Sequence, residues 1–115
     1  SGEQTRDWIY VDDVVDAVLC AATTPASYGE IINIGSGQEI KVHDFARLVV
    51  DLAGAKIELH LGRRRTRLSE IQRLWCSIEK TRKLLDWIPQ TSPEEGLKKT
   101  IAWYREHSPK VAKEM

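Results

Sequence analysis

Short β-branched or alternating runs of four to six residues are interleaved with stretches of helical periodicity, and this alternation confines the chain to the α/β class. Trp8-Ile9-Tyr10-Val11 is expected as a strand, with Asp12 or Asp13 capping a helix over 13–23 whose apolar face carries Val14, Val15, Ala17, Val18, Leu19, Ala21 and Ala22. Glu30 to Ile34 reads as a buried strand running into the turn Gly35-Ser36-Gly37, followed by a brief extended piece over 39–42. Phe45, Ala46, Leu48, Val49, Val50 and Leu52 predict a helix over 43–53 that ends at Gly54. Lys56 to Leu61 alternates and predicts a one-sided strand with Ile57, Leu59 and Leu61 facing in. A short helix is expected over 79–85. Ser92-Pro93-Glu94-Glu95 opens another, with Ser92 as N-cap, Pro93 in the first helical position and Glu95 completing a capping box. That helix should run to about His107, leaving 108–115 as a polar, frayed tail.

The 115 residues form one domain by this reading, 1–115, because a chain of this length buries roughly two thirds of its unfolded surface and fills one core, not two lobes around a cleft. An enzyme that needs two lobes must borrow one. Seventeen Lys and Arg balance seventeen Asp and Glu, which argues against a nucleic-acid partner, since such domains carry a large basic excess over a whole face. No apolar run approaches the ~18 residues of a membrane span, so no membrane partner is expected. The first residues show no secretory pattern, and two cysteines, Cys20 and Cys76, do not make a disulfide scaffold; a reducing, cytoplasmic location is the expectation.

Most catalytic constellations fail on spacing. Cys20, Cys76, His43, His60 and His107 lack the intervals of a metal site. Gly35-Ser36-Gly37 follows a strand run as a dinucleotide loop does, but Ile40 stands where the third glycine belongs. Anion recognition remains. The segment from Gly62 to Arg73 breaks all periodicity and gathers Arg63, Arg64, Arg65, Arg67 and Arg73 against Glu70 alone, and Arg6 precedes a strand run. A guanidinium forks two N–H donors onto one phosphate and stays charged at any working pH. Two readings fit the loop: a solvated basic face, or one side of a phosphate site. Glu70 can hold Arg67 in place or accept hydrogen bonds from ligand hydroxyls.

Four ordered segments together resemble one family. They are Gln4 to Ala17 (QTRDWIYVDDVVDA), Gly29 to Gly37 (GEIINIGSG), Lys80 to Trp87 (KTRKLLDW) and Glu94 to Tyr104 (EEGLKKTIAWY). The chain is similar over nearly its whole length to the C-terminal third of extended short-chain dehydrogenase/reductases, the NAD-dependent nucleotide-sugar epimerases and 4,6-dehydratases. The string Arg67-Leu68-Ser69-Glu70-Ile71 looks most like the 4,6-dehydratase branch. The resemblance implies a small α/β substrate-binding domain with short strands and about four helices, without the Rossmann domain that carries the NAD loop and the Tyr-x-x-x-Lys pair. No tyrosine here has a lysine four residues on: Val14 follows Tyr10, Ile32 follows Tyr28 and Ser108 follows Tyr104. The chain alone is therefore expected to hold no cofactor, NAD belonging to the parent enzymes, and not to catalyse their reaction, which begins with hydride transfer from C4 of the sugar.

By position, Arg6 matches the arginine of the family's Arg-Asp-aromatic motif and Arg67, counted back from Trp87, its second diphosphate-clamping arginine. Glu70 is carried over as a nucleotide-sugar contact. Asn33 is a further candidate within a segment, Asn33 to Gly37, that reads first as turn chemistry. Trp8, Trp75, Trp87 and Trp103 read as core or interdomain packing. Ser77 stands where the family has Asp, and Glu79 where it has a capping Ser or Thr. The expected partners are a nucleotide-sugar, bound weakly, and a Rossmann domain. The alternative is a non-catalytic module that self-associates or captures a partner through an exposed docking face.

Overall fold

Four helices and one two-stranded ribbon make up the chain in a computed structural model that describes residues 2–60, 62 and 70–114, with side chains through Ser108. In chain order they are β1 (Thr5–Arg6), α1 (Val11–Thr23), a single 3-10 turn (Pro25–Ser27), β2 (Ile40–Lys41), α2 (Val42–Ala53), α3 (Glu79–Leu85) and α4 (Pro93–Glu114). This is the α/β class that the alternation requires, weighted toward helix.

The helices form where local signals asked for them. α2 ends on Gly54 in the left-handed conformation, φ 63°, whose N–H bonds the carbonyl of Asp51. In front of α4, Ser92 Oγ accepts the N–H of Glu95 at 3.2 Å, the first half of the capping box. α4 runs on to Glu114 instead of stopping near His107, because Lys110, Ala112, Lys113 and Glu114 carry good helix propensity and Pro109 removes only one of the helix's hydrogen bonds.

One strand, β2, forms within the extended piece expected over 39–42; the longer strand runs do not form. Trp8 to Tyr10 is not a strand and α1 begins at Val11, two residues early, with extended Tyr10 as an N-cap that makes no side-chain bond. Asp12 and Asp13 lie in the first turn and favour the helix through its dipole; neither caps it. Glu30 to Ile34 and Lys56 to His60 form no strand, because no neighbouring backbone in the described residues pairs with them; Leu61 lies outside those residues. The paired segments are instead polar. β1 runs antiparallel to β2 with Thr5 opposite Lys41 and Arg6 opposite Ile40, and Val42 and His43 extend the ribbon by donating to the carbonyls of Gln4 and Gly2.

The fully buried hydrophobic core is small. Ala17, Leu85 and Trp87 pack with Ile9, Cys20, Ala21, Ile32, Ile34 and Leu84 where α1, α3 and the 32–34 segment meet. Two buried polar side chains pin this junction: Thr81 Oγ1 donates to the Asn33 carbonyl at 2.6 Å, and Asp13, 2% exposed, accepts the N–H groups of Gln90 and Thr91 at 3.2 and 2.9 Å. α2 and α4 pack as a second pair, Arg105 closing the C-terminal end of α2 through a 2.8 Å bond to the Ala53 carbonyl. The radius of gyration is 17.0 Å, against about 13 Å for a compact domain of this length. On α1, Ala17 and Ala21 face the core, while Val11, Val15, Val18 and Leu19 form a second apolar stripe that stays exposed.

Candidate functional site

β1 sits between two neighbours, and that position builds the site. On one edge it pairs with β2. On the other, Thr5 donates its N–H to the carbonyl of Gln72 at 2.8 Å, so the segment Glu70 to Cys76 is laid alongside. Arg6 reaches across this seam. Its Nη1 donates to the carbonyls of Thr5 at 2.6 Å and Ile71 at 2.9 Å, while Nε and Nη2 have no partner among the described residues. The guanidinium stands at a cavity of about 200 Å³ whose walls include Ile9, Ile34, Leu74 and Trp75.

Asp7, the next residue, organises the floor. Its carboxylate accepts the N–H and hydroxyl of Ser36 at 2.7 and 2.6 Å, the N–H of Gly37 at 3.2 Å and the N–H of Cys76 at 3.3 Å; the Cys76 thiol lies 3.6 Å away as a weak further donor. Partial burial works against its charge, but the bonds from Ser36, Cys76 and Gly37 outweigh it and hold the carboxyl below the ordinary aspartate range. Burial, and then the Asp7 charge, push the Cys76 thiol up, so this sulfur is no thiolate nucleophile at neutral pH. Gly35 is obligatory at this junction: a Cβ there would strike Cys76 Sγ and come within 2.7 Å of Asp7 Oδ2.

This arrangement settles what Gly35-Ser36-Gly37 does. The backbone amides of Ser36 and Gly37, which a pyrophosphate would need, are directed at the Asp7 carboxylate. The turn does not fit a dinucleotide, and no chemistry is routed through one here.

The other expected site residues are scattered. Glu70 Oε1 accepts Gln4 Nε2 at 3.2 Å, which ties the segment to the start of the ribbon. Asn33 is exposed, its carbonyl taken by Thr81, and it does not line the cavity beside Arg6. Arg67, with Arg63, Arg64 and Arg65, lies outside the described residues. Arg73 does not belong with them as a free cation: its Nε and Nη2 both bond the carboxylate of Glu39, and its guanidinium lies 4.7 Å over the Trp75 ring. Residue-type spacing could not reveal Asp7 or Glu39 as organisers, although Asp7 adjoins Arg6 in the quoted motif. Cys20 and Cys76 are free, and no cluster of three metal-ligating side chains occurs among the described residues. A second cleft, about 290 Å³ between Trp8, Tyr10, Phe45 and Leu97, is apolar and offers a phosphate nothing. No helix of the described residues is long and apolar enough to cross a membrane.

The chain matches the family model of GDP-mannose 4,6-dehydratase over residues 1–100. It is 35% identical over 108 residues to UDP-glucuronate 4-epimerase of Thermodesulfobacterium geofontis, covering 92% of this chain and 32% of that enzyme. Among solved structures it superposes on an epimerase of Methanothermobacter thermautotrophicus with a TM-score of 0.91 at 35% identity, covering 98% of this chain and 33% of the other. A UDP-glucose 4-epimerase of Thermotoga maritima, solved with UDP-glucose, gives 0.83 at 33% identity, with 92% and 33% covered. The chain thus spans about a third of the length of these relatives.

Proposed function

Since the chain belongs to the GDP-mannose 4,6-dehydratase family, the extended short-chain dehydrogenase/reductases that act as nucleotide-sugar epimerases and dehydratases, we propose that it is the nucleotide-sugar-binding part of such an enzyme and grips the diphosphate with Arg6 and Arg67. The observation that carries this reading is the seating of Arg6. Two carbonyls hold one nitrogen of its guanidinium, and Arg6 lines the cavity, leaving a donor edge for a phosphate. Glu70 acts from the same segment by fixing it to Gln4. The backbone carbonyl of Asn33 anchors Thr81, and the exposed Asn33 side chain and Glu70 are further contacts for the nucleotide-sugar in this reading.

Catalysis requires a partner in this reading. The proton relay and hydride carrier would come from a Rossmann domain, and the chain by itself binds nucleotide-sugar in the millimolar range, because half the contacts of a two-sided cleft are missing and each charge-assisted bond contributes about 1.5–3 kcal/mol. The exposed stripe of α1 and the Ile31–Ile34 segment, which has no strand partner among the described residues and in which Ile31 is 87% exposed, support a docking face of that kind. The same face favours a second reading, self-association of the chain when no such domain is present.

Calorimetric titration with UDP-, dTDP-, GDP- and CDP-sugars beside NAD tests the assignment. The expected result is weak binding of one nucleotide-sugar, lost in both Arg6→Ala and Arg67→Ala, with no heat from NAD. Tight NAD binding, or nucleotide-sugar binding indifferent to both substitutions, overturns it.

A further inference from the structure

The seat of Arg6 depends on groups that never reach the cavity. One of its two anchoring carbonyls belongs to Ile71, in a segment with no regular structure that is held to β1 by the bond from the Thr5 N–H to the Gln72 carbonyl. Two residues on, Arg73 presents Nε and Nη2 side-on to both oxygens of Glu39, with Nε 3.1 Å from Oε2, while the Trp75 ring supports the guanidinium from its face. Glu39 in turn accepts the hydroxyl of Thr5 at 2.6 Å, the residue that supplies the other anchoring carbonyl for Arg6 and whose N–H bonds Gln72. The ion pair therefore ties the segment of Ile71 to Glu39, and the Thr5 hydroxyl ties Glu39 to β1, so the two bonds together link the backbones whose carbonyls seat Arg6.

We propose that Glu39 and Arg73 are positioning residues for Arg6: a side-on carboxylate–guanidinium clamp that sets the distance between the Thr5 and Ile71 carbonyls and so aims the free edge of the Arg6 guanidinium. The clamp rests on the reading of Arg6 as a diphosphate ligand and adds to it residues whose own charges are spent on each other. An exposed ion pair contributes little to stability by itself, but a bidentate pair fixes direction as well as distance. Lysine in place of Arg73 keeps the charge and loses both the fork and the flat face on Trp75. The Arg73 guanidinium and the Thr5 hydroxyl hold the Glu39 carboxyl below the ordinary glutamate range, so the clamp persists through mildly acidic solution.

The test pairs a ligand measurement with a ligand-free one on the full chain: the affinity for UDP, and the NMR resonance of the Arg6 Nε–H group. Arg73→Ala should weaken UDP about fivefold and shift the Arg6 resonance, with circular dichroism unchanged. Arg73→Lys, which loses the fork and the flat face on Trp75, should behave like Arg73→Ala. An Arg6 resonance unmoved by Arg73→Ala overturns the clamp, as does an unchanged UDP affinity in a chain that loses UDP on Arg6→Ala. If Arg6→Ala leaves UDP binding intact, the diphosphate reading falls, and the Arg6 resonance alone decides whether Arg73 positions it.

Discussion

The carboxylate of Asp13, in the first turn of α1, accepts the backbone N–H of Thr91 at 2.9 Å across 78 positions of sequence. The same side chain takes the N–H of Gln90, and so fixes the approach to α4 against α1. A carboxyl group this deeply buried is tolerated because protein donors replace its water. Asp13→Ala removes the acceptor and leaves two amide donors stranded, at a cost of about 2–4 kcal/mol. Urea unfolding followed by circular dichroism should show the unfolding free energy falling by that amount; a change below about 0.5 kcal/mol, the range of an indifferent surface site, would contradict the anchoring role.

Asp7 makes stability depend on acid. Its carboxyl is depressed in the folded chain relative to an unfolded value of about 3.9, so its contribution is fully present above that value and is lost as the pH falls through the lower, folded one. Asp7→Asn places an amide where the N–H groups of Ser36, Gly37 and Cys76 need an acceptor, costing about 1–3 kcal/mol at pH 7. Below pH 4 the difference between Asp7→Asn and the parent chain should narrow. Unfolding curves at pH 7, 4 and 3 check this, and a difference independent of pH would rule out the ionised carboxylate as the source.

Gly35→Ala meets the same junction from the other side. The new methyl collides with Cys76 Sγ and Asp7 Oδ2, both tied into the turn, and overpacking of this kind costs about 1–3 kcal/mol. Adding Cys76→Ala clears the nearer clash and should recover part of the loss. Thermal melts of the single and double substitutions decide it; strictly additive effects would disprove the contact.

Val15→Asp with Val18→Asp puts charge on the exposed stripe of α1 without touching Ala17 or Ala21 in the core. Stability of the monomer should change by less than about 0.5 kcal/mol per substitution, as at surface sites away from packing. Sedimentation velocity at high concentration should show self-association of the parent chain and its loss in the double variant. A parent chain that remains monomeric would remove the second functional reading.

Helices were legible in the residues because their signals are local. Gly54 ends α2 and Ser92-Pro93 opens α4 through bonds that span three to five positions, and these elements stand where the pattern put them. Strands were not, because a strand exists only with a partner. Glu30 to Ile34 carries strong β-branched character and has no strand partner among the described residues, while Thr5–Arg6, outside every expected run, pairs with Ile40–Lys41, which lies in the extended piece expected over 39–42. Arg6 was legible as a motif residue. Its Ile71 anchor and the Glu39–Arg73 clamp were not, since they join residues 65 and 34 positions apart through side chains that also read as ordinary surface charges.

What the residues alone determined is the inventory: one α/β unit, four motifs in the order of a known family, no tyrosine–lysine pair, and an arginine beside an aspartate at the start of a ribbon. What only the tertiary structure decided is employment. Ser36 and Gly37 turn their amides to Asp7, Arg73 spends its fork on Glu39, and Arg6 keeps a donor edge open. The physical reason is that hydrogen-bonding capacity belongs to a residue type, but whether it is used up depends on which groups the fold brings within about 3 Å.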